Sequence, residues 1–128
     1  MSRTVLPPER LHASIRARVA GLHAEVIREV AAALAAHPVV VVGMAANPFV
    51  LRARRDLRQA GVAHHYLGYG GYLSQWRRRN ALKMWSGWPT FPMVFVRGVL
   101  IGGAEDLQRL IAAGELAALL NADASSEA

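Results

Sequence analysis

The chemistry open to this chain is limited first by what is missing, because none of its 128 residues is cysteine. Disulfides, thiol nucleophiles and thiolate metal sites are therefore excluded. His64 and His65 are neighbours on a predicted strand, so they point to opposite faces and cannot chelate one ion. His12 and His23 lie about three helical turns apart, too far to share a metal. The spacing supports neither a Ser-His-Asp arrangement nor a phosphate-cradling glycine loop, and no metal site is predicted.

Aromatic and arginine side chains are interleaved in the middle of the chain. Tyr66, Tyr69 and Tyr72 precede Trp76 and the run Arg77–Arg79. If exposed, such a mixture can stack on bases and contact phosphates. Trp76, however, falls at an apolar position of a predicted helix, and no nucleic-acid motif accompanies it. Nucleic acid is therefore not a favoured partner.

The net charge of +6 is carried almost wholly by arginine, since Lys83 is the only lysine. Between residues 30 and 104, nine Arg or Lys side chains stand against Asp56 alone. Such a field favours anionic ligands or surfaces, although arginines solvated on helix faces would give the same count. No charged-then-apolar leader opens the sequence, and no apolar run reaches the ~20 residues of a membrane span. We expect a cytoplasmic, single-domain protein with no membrane partner.

Apolar periodicity predicts the elements that must position any site. Steps of three and four predict an amphipathic helix over residues 8–36, with a break near Gly21. This helix either covers one sheet face or serves as a dimerisation arm. The β-branched run Pro38–Gly43 predicts a central strand buried on both faces. A second strand is predicted over Val62–Leu67, and the spacing favours a parallel strand–helix–strand unit.

Two helices are predicted around that second strand. Asn47 is a good N-cap, and Pro48 a good first residue, for a helix through about Ala60. The next helix is predicted over Tyr72–Trp85. The inward-facing residues of the two helices are predicted to be Phe49, Val50, Ala53, Leu57, Leu73, Trp76, Leu82 and Trp85.

The stretch from Trp88 to Gly103 has a clear local pattern. Two prolines within four residues hold the chain extended. Arg97-Gly98 lies between the apolar runs Met93–Val96 and Val99–Ile101, which predicts a two-residue hairpin. A glycine pair then ends the strand, and acidic residues open a final helix that Gly114 divides in two.

This order of elements, with Trp88-Pro89-Thr90-Phe91-Pro92 and Gly102-Gly103, resembles the glutaredoxin family, its monothiol branch in particular. The resemblance covers roughly residues 38–119. It implies an α/β, thioredoxin-like three-layer fold, in which a four-stranded mixed sheet is flanked by helices and an extra or extended N-terminal helix is added. The implied divisions are an N-terminal helical extension (1–37), a glutaredoxin-like domain (38–120) and a polar tail (121–128).

The resemblance also implies a glutathione site. In the family, the proline matching Pro92 is cis, and the backbone beside it pairs with glutathione. Basic residues at the positions of Arg79 and Lys83 meet the glycyl carboxylate, and the start of the last helix receives the γ-glutamyl end. The site residues implied are Asn47, Arg79, Lys83, Thr90, Phe91, Pro92, Gly103, Ala104, Glu105 and Asp106.

The family's reactive position is where this chain departs from it. The residues Asn47-Pro48-Phe49-Val50 stand where a glutaredoxin has Cys-Pro-Tyr-Cys or Cys-Gly-Phe-Ser. A thiolate there is stabilised by free N–H groups and the helix dipole. An amide can neither attack a disulfide nor ligate an iron–sulfur cluster as a thiolate does. Thiol–disulfide exchange, and cluster binding through cysteine of this chain, are therefore excluded. Met44, Ala104 and Glu105 also depart from the family pattern.

Three functions remain open. The leading hypothesis is a non-redox binding module, without catalytic residues, for glutathione or a similar extended thiol peptide at the Pro92 edge. The second is a protein-interaction or regulatory subunit, or a homodimer, that has no small ligand. The third is a glutathione-transferring enzyme in which Asn47 or Thr90 donates a hydrogen bond to the thiolate of bound glutathione. A simpler alternative is that the hairpin needs the proline turn and Gly-Gly only in order to fold.

Overall fold

Four short strands form one mixed sheet in the order β2-β1-β3-β4. They are β1 (Val39–Gly43), β2 (His65–Gly68), β3 (Met93–Val96) and β4 (Val99–Gly102). Strand β1 runs parallel to β2 and antiparallel to β3, and β3 runs antiparallel to β4. This is a computed structural model of the chain, and it describes residues 4–21 and 23–126, with side chains up to residue 121. The four-stranded mixed sheet predicted from the sequence is confirmed.

Helices cover both faces of this sheet. Within the described residues they are a 3₁₀ turn (Pro8–Arg10), α1 (Ala13–Gly21), α2 (Ala24–Ala36), α3 (Pro48–Gln59), α4 (Trp76–Ser86), α5 (Ala104–Ala112) and α6 (Glu115–Ser126). None of them is long and apolar enough to span a membrane.

The predicted N-terminal helix is divided into α1 and α2, close to the break expected at Gly21. His23 lies between them in the left-handed region, with φ 49° and ψ 38°. Helix α2 buries Val26, Val30 and Ala33 in the core. The C-terminal half of the predicted helix therefore covers a sheet face, which is the first of the two alternatives given for it. Helix α1 buries none of its residues.

Strand β1 lies at the centre of two hydrophobic clusters. All of its residues are buried, as predicted. Val40 and Val42 face the cluster that contains α2, whereas Val39 and Val41 pack with residues of α3 and α5. Burying such side chains contributes roughly 1.5–3 kcal/mol each. The sheet is thereby fixed from both faces, and the loops at its edge are held in place.

Half of the predicted inward positions are exposed instead. Phe49 is 53% exposed, Leu73 100%, Trp76 55% and Trp85 39%. Leu73 lies outside α4, which begins at Trp76 rather than Tyr72, so the helical period does not apply to Leu73. Trp76 is the first residue of the helix and is exposed there. Phe49 lies in the first turn of α3, at the edge of the protein. The positions confirmed as buried are Val50, Ala53, Leu57 and Leu82.

The turns of the C-terminal half follow the sequence closely. Arg97 and Gly98 have φ of 53° and 79°, which is the two-residue hairpin geometry that needs positive φ at both positions. Gly114, with φ 74°, separates α5 from α6.

Two element bounds differ from the prediction. Helix α6 continues to residue 126, so residues 121–126 of the predicted polar tail are helical instead. Strand β2 starts later than predicted, since the N–H of Val62 instead caps α3 by donating to Leu57 O.

Candidate ligand-binding cleft

Asn47 caps the helix that follows the central strand. Its backbone is extended, and its Oδ1 accepts hydrogen bonds from the N–H groups of Phe49 (2.9 Å) and Val50 (3.2 Å). The predicted N-cap is therefore confirmed. Two donors at the positive end of α3 are satisfied by a neutral amide, at the position where the family resemblance places a cysteine.

A cleft of about 260 Å³ opens beside the Phe91–Pro92 peptide, which is cis. It holds seven of the ten site residues that the sequence analysis named. Two further side chains, Phe49 and Trp88, were not among those ten. The residues lining it are Phe49, Trp88, Thr90, Phe91, Pro92, Gly103, Ala104, Glu105 and Asp106. The proline turn and the start of α5 are thus brought together, 11 residues apart in the chain from Pro92 to Gly103.

The backbone of Phe91 offers an unused donor and acceptor at this cleft. Within the described residues, neither its N–H nor its C=O has a hydrogen-bond partner. The residue as a whole is only 6% exposed. Most buried backbone polar groups in proteins are paired, so an extended ligand in the cleft would supply what the fold leaves open.

The other wall of the cleft is the start of α5. Asp106 Oδ2 accepts from the N–H of Gly103 at 2.9 Å, and Oδ1 lies 2.9 Å from Arg109 Nη2. The bond from Gly103, with a smaller contribution from Arg109, lowers the pKa of Asp106. Its carboxylate is committed to closing the helix start. The other N–H groups of the first turn have no partner within the helix and favour an anion.

Lys83 lies close to an aromatic ring of the proline turn. Its Nζ lies 5.6 Å from the centre of the Phe91 ring, a cation–π distance. The side chain is half-buried, so its stem is packed while its ammonium remains close to the cleft. The contact of Lys83 with a ligand carboxylate stays a prediction.

Arg79 has a different setting. It is only 7% exposed, and Nη1 donates to the carbonyl of Tyr69 at 2.9 Å and to the carbonyl of Ser74. Tyr69 is itself tied to the end of β1 through Gly43 O and to α2, since its hydroxyl donates to Glu29 at 2.6 Å. Burial, then Glu29, raises the pKa of Tyr69. Arg79 thus holds the loop before α4, and its contact with a ligand carboxylate stays a prediction.

Replacing Arg79 by alanine is expected to destabilise the fold by about 2–4 kcal/mol, because two loop carbonyls lose a charged donor. Chemical denaturation followed by circular dichroism measures the loss. Arg78→Ala, at an exposed neighbour, is the matched control and should change stability by roughly 0.5 kcal/mol or less. A stable Arg79→Ala variant that had lost only ligand affinity would contradict the structural role.

No protein-family model matches the chain. A glutaredoxin-like protein of Dictyostelium discoideum is 46% identical over 94 residues, which cover 73% of this chain and 76% of the relative. The oxidised glutaredoxin 2 of Chlamydomonas reinhardtii superposes with a TM-score of 0.66 at 26% identity, covering 77% of this chain and 92% of that one. The buckwheat glutaredoxin–glutathione complex gives a TM-score of 0.68 at 21% identity, covering 77% and 89%.

The sheet order, the flanking helices and these superpositions define a thioredoxin-like fold of the glutaredoxin type. With a relative of 46% identity over most of both chains, the chain belongs to the glutaredoxin family. It is a member without cysteine.

Sequence reasoning missed Phe49 and Trp88 as cleft residues. Phe49 was predicted to face inward on its helix, yet the first turn of α3 points it to the cleft. Trp88 was treated only as part of the motif. Its Nε1 is buried and has no hydrogen-bond partner within the described part of the chain. Both residues stand inside matched motifs, Phe49 in Asn47-Pro48-Phe49-Val50 and Trp88 in Trp88-Pro89-Thr90-Phe91-Pro92, and that position is the sequence feature that could have indicated them.

Proposed function

We propose that this protein is a non-redox binding member of the glutaredoxin family that holds glutathione, or a similar extended thiol peptide, in the cleft beside Pro92. The observation that carries the proposal is that the N–H and C=O of Phe91, at the wall of that cleft, have no partner among the residues that the structure describes. A peptide lying along them would add two backbone hydrogen bonds, as a strand does at a sheet edge.

The charges around the cleft also favour a peptide that lies along the Phe91 backbone. The ammonium of Lys83 lies 5.6 Å from the centre of the Phe91 ring and favours a carboxylate on that side of the cleft. The first turn of α5 forms the other wall of the cleft, and its N–H groups favour a second carboxylate. Glutathione is an extended tripeptide with a carboxylate at each end, and the buckwheat relative is known as a complex with it.

The protein would bind the ligand without forming a covalent bond to it. Asn47 provides no thiolate, so the protein can form no mixed disulfide with what it binds. S-methylglutathione, whose sulfur is blocked, should therefore bind about as well as glutathione.

Titration of the ¹⁵N-labelled protein with reduced glutathione tests the proposal. Saturable shifts are expected at Phe91, at Gly103 and along the first turn of α5. Lys83→Ala should weaken binding by about tenfold, since it removes one charge-assisted contact. Arg58→Ala, at an exposed arginine outside the cleft, is the control and should not weaken it. Absence of shifts at millimolar glutathione, or equal weakening by both variants, would overturn the proposal.

A further inference from the structure

A second, larger depression lies away from the cleft and shares no lining residue with it. It is an open trough of about 620 Å³ between α4 on one side and the end of α1 with α2 on the other. We name it the α2–α4 trough. Its apolar lining includes Val19, Ile27, Ala81, Met84 and Trp85. The proposed glutathione site makes no use of it.

Large apolar side chains stay exposed along this trough. Met84 is 63% exposed, Trp76 55%, and Trp85 and Val19 are each 39% exposed. Isolated exposed apolar residues are ordinary, but a contiguous group of them marks an interaction surface. Tryptophan is the residue that most often anchors a protein interface, and methionine adapts its shape to a partner.

Positive charge stands on both sides of the trough. Arg28 projects from α2, and Arg77 from α4. Within the described residues neither forms an ion pair, and Arg77 lies 5.2 Å over the ring of Trp76. His23, also in the lining, lies 3.5 Å from the carboxylate of Glu25, so Glu25 already has a basic neighbour. The rim of the trough is therefore complementary to an acidic partner.

We propose that the α2–α4 trough binds an amphipathic, acidic helix of a partner protein. Two helices form the walls, and a third helix can pack its apolar side chains between them as ridges into a groove. Carboxylates on the flanks of that helix would then face Arg28 and Arg77. The trough is concave, which suits a helix and does not suit a flat lipid surface.

A second copy of the chain fits this site less well than an acidic partner. The chain carries a net charge of +6. Its basic surface would face Arg28 and Arg77 across the trough, which disfavours association. The occupant is therefore assigned to a different protein.

The test uses the full chain and a fluorescein-labelled model peptide of about 15 residues, long enough to form several helical turns. The peptide has leucine at helical spacing on one face and glutamate on the others. Saturable binding is expected by fluorescence anisotropy. The double variant Arg28→Glu, Arg77→Glu should weaken it by about tenfold or more, whereas the double variant Arg55→Glu, Arg58→Glu, at two exposed arginines outside the trough, serves as the charge-matched control.

Reversing the charge of the peptide distinguishes binding at this site from nonspecific adsorption. A peptide with lysine in place of glutamate should bind the double variant and not the unaltered chain. The proposal is overturned if the acidic peptide does not bind, if the Arg55→Glu, Arg58→Glu control weakens binding as much as the trough double variant, or if the lysine peptide binds the unaltered chain equally well. It is also overturned if sedimentation shows a dimer that Met84→Asp dissociates, or if anionic vesicles bind while the acidic peptide does not.

Discussion

Replacing Asn47 by cysteine is expected to give this chain a reactive thiol with a lowered pKa. The N–H groups of Phe49 and Val50, which now donate to Asn47 Oδ1, would stabilise a thiolate at the positive end of α3. That thiolate would attack one sulfur of glutathione disulfide, the S–S bond would break, and one glutathione thiolate would leave. We expect conversion to a protein–glutathione mixed disulfide, a product that the unaltered chain cannot form.

The control for this substitution lies on the same helix. Gln59→Cys places a thiol at the exposed C-terminal end of α3, where the dipole opposes a thiolate. The thiol pKa of Asn47→Cys should be lower than that of Gln59→Cys by about one unit or more. Ultraviolet absorbance of the thiolate measures both pKa values, and intact-mass spectrometry follows the mixed disulfide. Equal pKa values in the two variants would show that the start of α3 does not activate a thiol.

Substituting Gly102 by alanine is expected to cost about 3 kcal/mol or more of folding free energy. Gly102 has φ 117°, and an added Cβ would lie 2.6 Å from Asp106 Cγ and 2.8 Å from its Cβ. The backbone strain costs roughly 1–3 kcal/mol. Displacing Asp106 also removes the bond that closes the start of α5, worth about 1 kcal/mol.

Gly114→Ala isolates the strain component of that loss. Gly114 also has positive φ, at 74°, but nothing lies within 4 Å of an added Cβ. Denaturation with urea should therefore show a smaller loss, about 1–2 kcal/mol. If the two variants lost the same free energy, the close approach between Gly102 and Asp106 would carry no energetic weight.

Elements set by local rules could be predicted from the sequence. Asn47-Pro48 caps α3 because a side-chain oxygen and a proline suit the first turn whatever surrounds them. Arg97-Gly98 forms the hairpin because only that turn geometry joins its two strands closely. In both cases the interacting groups are neighbours in the chain.

Features that depend on distant backbone could not be predicted in this way. Arg79 was expected at a ligand carboxylate, and its charge gives no sign that its partners are the carbonyls of Tyr69 and Ser74. Every residue carries a carbonyl, so the sequence cannot say which ones lie within reach. The exposure of Leu73 follows from the start of α4 at Trp76, and the loop before that start is the one whose carbonyls accept from Arg79.

The two concave surfaces show the same contrast between local motifs and the packing of distant segments. Thr90, Pro92 and Gly103 were matched through motifs, and the fold places them on one surface. The α2–α4 trough has no motif, because it arises from the packing of α2 against α4. Its tryptophans were assigned to the core, since apolar type alone does not distinguish a buried face from a face that a partner covers.

The neutral cap at Asn47 affects how long a ligand stays bound rather than how tightly it binds. A family member with a thiolate at this position can hold its ligand through a covalent bond, and release then waits for a second thiol. Here a bound molecule can leave only by dissociation. Occupancy of the cleft would follow the free concentration of ligand directly, rising and falling within the residence time of a non-covalent complex, at any redox potential that leaves the ligand itself intact.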